Sequence, residues 1–154
     1  LQVELGELAN EARFFKFWSN DQEPRTKTYK SKLSPGGEFY RGIYEANPLL
    51  EEYVDCLHFI LSIGLELKVK MPYIIGDYEA PNVIRQFNFV FEDISKLDRA
   101  IRNEYEESMI TDIYDETVRG ILGLGSLLGF TWEQIETAYL DKNKINHERQ
   151  RSGY

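Results

Sequence analysis

Residues 51–67, EEYVDCLHFILSIGLEL, carry apolar side chains on almost every side of a helix, yet they hold Glu52, Asp55 and His58 among them. A helix that is apolar nearly all round belongs inside a bundle. A carboxylate placed there without a partner is strongly unfavourable, because its lost hydration is not replaced. Two such carboxylates one turn apart therefore demand cations, supplied by another part of the chain or by bound ions.

The rest of the sequence is compatible with a bundle. Helical periodicity dominates, and no convincing strand alternation stands out. The first helix is predicted to run from the start to about Trp18, with Leu1, Leu5, Leu8, Ala12 and Phe15 in one apolar stripe. Residues 19–42, SNDQEPRTKTYKSKLSPGGEFYRG, read as a long polar connection. A second helix should open at Asn47 as N-cap with Pro48 in the first turn, and end near Lys68. A third starts near Asn82 and presents Val83, Phe87, Val90, Ile94, Leu97 and Ile101. A fourth spans Glu107 to Leu128. The fifth opens on a capping box of Thr131 and Gln134 and continues through Ile135, Ala138 and Tyr139 into the basic tail. The expected fold is all-α, a helical bundle of about five helices.

Length and charge restrict the function. At 154 residues, 42% hydrophobic and 29% charged, the chain is expected to form one domain over residues 1–154. A net charge of -8 argues against general binding to nucleic acid or to an anionic membrane, since such binders carry a basic surplus. Cys56, the single cysteine, has no internal disulfide partner and lies in an apolar run, which suits a reducing cytoplasmic setting. No window reaches the roughly 18 apolar residues of a membrane span. The opening LQVELGELANEA already looks like mid-helix, so residues are expected to precede Leu1.

On the first helix, Glu4, Glu7 and Glu11 form a stripe flanking the apolar one, and no Lys or Arg stands four residues on from Glu4 or Glu7. Packed beside the second helix, Glu4, Glu7, Glu52 and Asp55 would make a self-repelling cluster. Oxygen-only ligands favour a hard divalent ion such as Mg²⁺, which takes its remaining oxygens from water and substrate phosphates. The alternative for a single E-x-x-E is a solvated acidic patch; the apolar surroundings of Glu52 and Asp55 weigh against it. In the tail YLDKNKINHERQRSGY, Lys142, Asn146 and Arg149 share one helical face and offer donors suited to phosphate. The alternative there is a helix C-terminus enriched in cations by its dipole. Together the two clusters point to a metal-bridged polyphosphate.

The paired motifs ELGE and EYVD resemble the all-α nucleotide pyrophosphohydrolase superfamily that includes the MazG-like enzymes. EEYVDCLHF and KNKINHERQRSGY are most similar to the dimeric, all-helical dUTPases within it. The resemblance implies Glu4, Glu7, Glu52 and Asp55 as Mg²⁺ ligands, with Glu4 or Glu7 also accepting a proton from the attacking water. It implies that His58 and Phe59 line the uracil and deoxyribose pocket, that Trp18 closes it, and that Lys142, Asn146, Arg149 and Tyr154 grip the phosphates. Core packing is the competing role for His58 and Phe59. The polar residues that the family places on a preceding helix to read the base have no counterpart in this sequence.

The implied activity is hydrolysis of dUTP to dUMP and pyrophosphate by a Mg²⁺-dependent homodimer, with dUDP as a further ligand. Two alternatives stand beside it. One is a MazG-like pyrophosphohydrolase acting on dCTP or a non-canonical nucleotide. The other is a non-enzymatic helical scaffold. Gly120, Gly123 and Gly125 interrupt the fourth helix, where each glycine costs roughly 1 kcal/mol relative to alanine. They predict close approach of another helix, within the chain or across a symmetric interface.

Overall fold

The computed structural model describes residues 1–33, 40–69, 79–151 and 153. It contains helices α1 (Gln2–Ala12), α2 (Pro48–Glu66), α3 (Val83–Arg102), α4 (Glu107–Leu127) and α5 (Trp132–Arg151), with strands β1 (Thr28–Leu33) and β2 (Tyr40–Ala46) between α1 and α2. Among the described residues the architecture is an all-α bundle of five helices carrying one small two-stranded sheet. Helix α2 packs against α1, α4 and α5, and α3 against α1 and α4.

Local chemistry explains the starts of three helices. Asn47 Oδ1 accepts from the Leu50 N–H at 3.1 Å, with Pro48 in the first turn of α2. Asn82 does the same for Arg85 at 3.0 Å on α3. At α5, Thr131 Oγ1 accepts from the Gln134 N–H at 3.3 Å and Gln134 Oε1 from the Thr131 N–H at 2.9 Å, completing the capping box.

Three expectations from the sequence are corrected. The first helix stops at Ala12, because Arg13 turns into the left-handed region at φ 62. That conformation is held by the Arg13 guanidinium, which donates to the Asp21 carbonyl at 2.6 and 3.1 Å and pairs with its carboxylate at 3.0 Å. Phe15 therefore lies outside the helix. The segment read as a plain connection contains the antiparallel hairpin β1–β2, registered from Thr28 opposite Ala46 to Leu33 opposite Tyr40. Its irregularity between Lys32 and Leu33 falls beside Gly42, whose φ of 128 suits glycine. On α3, Ile101 is exposed while Gln86 and Ala100 join Phe87, Val90, Ile94 and Leu97 in the interior.

The core runs through Leu5 and Leu8 of α1, Leu49, Tyr53, Cys56 and Ile60 of α2, Val90 and Leu97 of α3, and Tyr114, Ile121 and Leu124 of α4. Each such aliphatic side chain stabilises the fold by roughly 1.5–3 kcal/mol. Helices α2 and α4 interlock through two tyrosines. Tyr53 fills the notch at Gly125 and donates to the Ile121 carbonyl at 3.2 Å, while Tyr114 fills the notch at Gly64 and donates to the Ile60 carbonyl at 3.2 Å. A Cβ at Gly120 would stand 3.3 Å from Val90 Cγ2 of α3. The close approaches at Gly120 and Gly125 are thus made within the chain.

Candidate active site

Helices α1 and α2 set their acidic residues against one another. A carboxylate oxygen from each of Glu4, Glu7 and Glu52 lies within 4.8 Å of the other two. Asp55 adjoins this group, but its Oδ2 accepts a 2.7 Å hydrogen bond from Lys142 Nζ on α5. Both partners of that ion pair are largely shielded, with side chains 19% and 28% exposed. The cation demanded by the acidic segment is therefore supplied, in part, by the basic tail.

The cluster remains undercompensated. Burial, then the charges of Asp55, Glu7 and Glu4, push Glu52 up to about 7 against the opposing pull of Lys142. Burial and the charges of Glu7 and Asp55 also raise Glu4. A single ammonium does not neutralise four carboxylates, and three clustered oxygen ligands fit a hard divalent cation. The residues present thus suit a metal.

Beside the cluster lies a cleft of about 420 Å³. Its walls include Glu4 from α1, Asp55, His58 and Phe59 from α2, and Lys142, Asn146 and Arg149 from α5. The structure thus brings most of the residues singled out in the sequence to one opening. Glu7 and Glu52 join it through the carboxylate cluster. Phe59, 46% exposed, offers an aromatic surface to the cleft and is not core packing. Trp18 is 71% exposed, packs edge-on with Phe15 and Phe17, and is not among the residues lining the cleft. Tyr154 lies outside the described residues.

The structure adds residues that the sequence reading passed over. Ser62 of α2 and Asn143, His147 and Gln150 of α5 also line the cleft. The signal was available: Asn143, His147 and Gln150 repeat the spacing of Lys142, Asn146 and Arg149 one position later, and Ser62 is four residues beyond His58. His58 stacks on Tyr139 with ring centroids 4.1 Å apart and planes inclined by 15°. Burial lowers its pKa, with Asp55 opposing and Lys142 reinforcing the shift. Cys56, buried behind the carboxylates, has its thiol pushed up by burial and packs as a small hydrophobe.

Chemically, clustered carboxylates facing a wall of Lys, Asn and Arg can hold divalent cations against phosphate oxygens, which is the work of an all-α phosphohydrolase. A family model described as dUTPase matches residues 1–40 and 41–154, and the chain accordingly belongs to the dUTPase family, whose enzymes are dUTP diphosphatases. Enzymes of this family use a divalent metal. No curated protein and no solved structure matches the chain. Among the described residues, no helix is long and apolar enough to cross a membrane.

Proposed function

We propose that the chain acts as a single all-α domain that hydrolyses dUTP to dUMP and pyrophosphate with Mg²⁺, and so limits uracil entry into DNA. The observation that carries the reading is the clustering of Glu4, Glu7 and Glu52 at the edge of a cleft whose opposite wall is cationic. Glu4, Glu7, Glu52 and Asp55 would hold the metal, which when bound neutralises phosphate charge and lowers the pKa of a water nucleophile.

The remaining work belongs to side chains. Lys142, Asn146 and Arg149 orient the phosphates, Arg149 through a planar fork and Lys142 as a point charge. Lys142 already donates to Asp55 and has two further N–H donors to offer a phosphate, which places the ammonium between carboxylate and phosphate. Of the two carboxylates proposed to accept the water's proton, Glu4 lines the cleft, and Glu7 is exposed and belongs to the adjoining carboxylate cluster. His58 and Phe59 flank the nucleoside, and Tyr154 adds a phosphate contact. Trp18 would have to come from elsewhere on the surface to close the pocket. The working unit is proposed to be a homodimer in a cytoplasmic setting, with dUDP as a second ligand.

A panel of nucleoside triphosphates assayed for pyrophosphate release with Mg²⁺ tests the reading. dUTP should be the preferred substrate. Preference for dCTP or a modified nucleotide would keep the chemistry and change the base. No turnover of any triphosphate, together with no thermal stabilisation by Mg²⁺ plus a non-hydrolysable nucleotide, would favour the scaffold instead.

A further inference from the structure

We infer that Tyr139 is a positioning residue of the cleft, whose ring holds the His58 imidazole in place at the cleft wall beside the nucleoside part of the substrate. The inference rests on the proposed nucleotide hydrolysis. It deepens that reading by assigning a role to a residue outside both motifs.

Three observations converge on Tyr139. Its ring lies nearly flat on His58, at 4.1 Å and 15°. Imidazole rotation about its terminal torsion is intrinsically broad, so an unsupported ring would sweep Nε2 through many directions. The stack, together with a hydrogen bond from the imidazole to the Tyr139 backbone, restricts that freedom, and the stack contributes about 0.5–1.5 kcal/mol beyond burial. Secondly, His58 lines the cleft while its Nε2 is buried and has no hydrogen-bond partner among the described residues. A buried ring nitrogen without a partner is costly, and a site that retains one is suited to a ligand that supplies the missing bond.

Thirdly, the stack is one turn from the ion pair that joins the same helices. Asp55 and His58 are separated by three residues on α2, and Lys142 and Tyr139 by three on α5. The Asp55–Lys142 bond and the His58–Tyr139 stack thus form a two-point tie between the walls. The stack is a contact between α5 and α2 that does not depend on Lys142. Tyr139 is packed on the core and is not among the cleft-lining residues, so it acts through His58 and not on substrate.

The experiment uses the full chain, its Tyr139→Phe and Tyr139→Leu variants, and His58→Gln alone and combined with Tyr139→Leu. The chain has two histidines, so the His58 ring protons can be assigned by NMR from their loss in His58→Gln. They should be shifted upfield in the parent and in Tyr139→Phe, and should return toward solvent-exposed values in Tyr139→Leu. KM for dUTP should rise about three- to tenfold in Tyr139→Leu, with kcat little changed. Tyr139→Phe should restore it, and the His58→Gln background should show no further rise. Should Tyr139→Leu melt below the assay temperature, Tyr139→Met replaces it. A parent without dUTP turnover would defeat the proposed function and this inference with it. An active parent whose Tyr139→Leu variant keeps the His58 shift, or keeps the parental KM, would overturn the inference alone.

Discussion

The two long walls of the cleft are built differently. Helix α2 buries Leu49, Tyr53, Val54, Cys56, Leu57, Ile60 and Gly64, and is keyed into α4 by two tyrosine–glycine contacts. Helix α5 buries only Ile135. It is held by its capping box, by Lys142 on Asp55 and by Tyr139 on His58. Metal ligands tolerate little displacement, so they belong on a rigid element. In the proposed function α2 carries the metal ligands and α5 the phosphate donors, which would follow a substrate whose shape changes on cleavage, as a lightly tethered helix permits.

The strongest way to break this contrast is to remove the charges of the rigid wall without disturbing its packing. Glu52→Gln and Asp55→Asn should each lower turnover by at least about a hundredfold, while circular dichroism remains helical. Near-parental rates for both at limiting Mg²⁺ would remove them from the site. Altering the packing and sparing the charges should do the reverse. In Gly64→Ala the new Cβ collides with the Tyr114 ring, which is itself buried and hydrogen-bonded. Stability should fall by about 1–3 kcal/mol in denaturant melts. A neutral or stabilising result would mean that α2 and α4 are looser than described.

The tethered wall should respond more mildly. Lys142→Ala should raise KM for dUTP roughly tenfold and lower the melting temperature less than Gly64→Ala does. Because Lys142 also occupies Asp55, calorimetry should show tighter Mg²⁺ binding in this variant without nucleotide. Weaker metal binding would show that Lys142 does not compete for that carboxylate.

The smallest effect sharpens the electrostatic side of the contrast. Glu52 is raised from 4.5 to about 7, so between these values the folded chain binds more protons than the unfolded chain. Metal-free stability should therefore fall as pH rises through that window. Mg²⁺ or Glu52→Gln should flatten the slope. A Glu52→Gln variant whose stability in chelator has the same pH slope as the parent's over this range would contradict the cluster.

Much of this arrangement was legible in the residues. Asn47–Pro48, Asn82 and the Thr131–Gln134 pair announced three helix starts through local hydrogen bonding, and the apolar stripes of α1 and α3 marked most of their buried faces. The carboxylate spacing predicted a shared site because i and i+3 positions lie on one helical face. The hairpin was harder to see: Tyr29, Ile43 and Tyr44 are exposed, so β1 and β2 lack the buried alternation that betrays a strand. The end of α1 was hidden for another reason. Nothing in ARFFKFW breaks a helix locally, and Arg13 leaves it through a guanidinium contact with Asp21.

Sequence by itself determined the helical class, the three capped starts and the two chemical stripes, because each depends on residues within a turn or two of one another. Tertiary structure decided which partners those stripes met. Lys142 reaches Asp55 across 87 residues, His58 finds Tyr139, and the glycines of α4 accept Tyr53 and Val90 from within the chain. Contacts between distant segments depend on how whole helices pack, and no local pattern encodes that geometry.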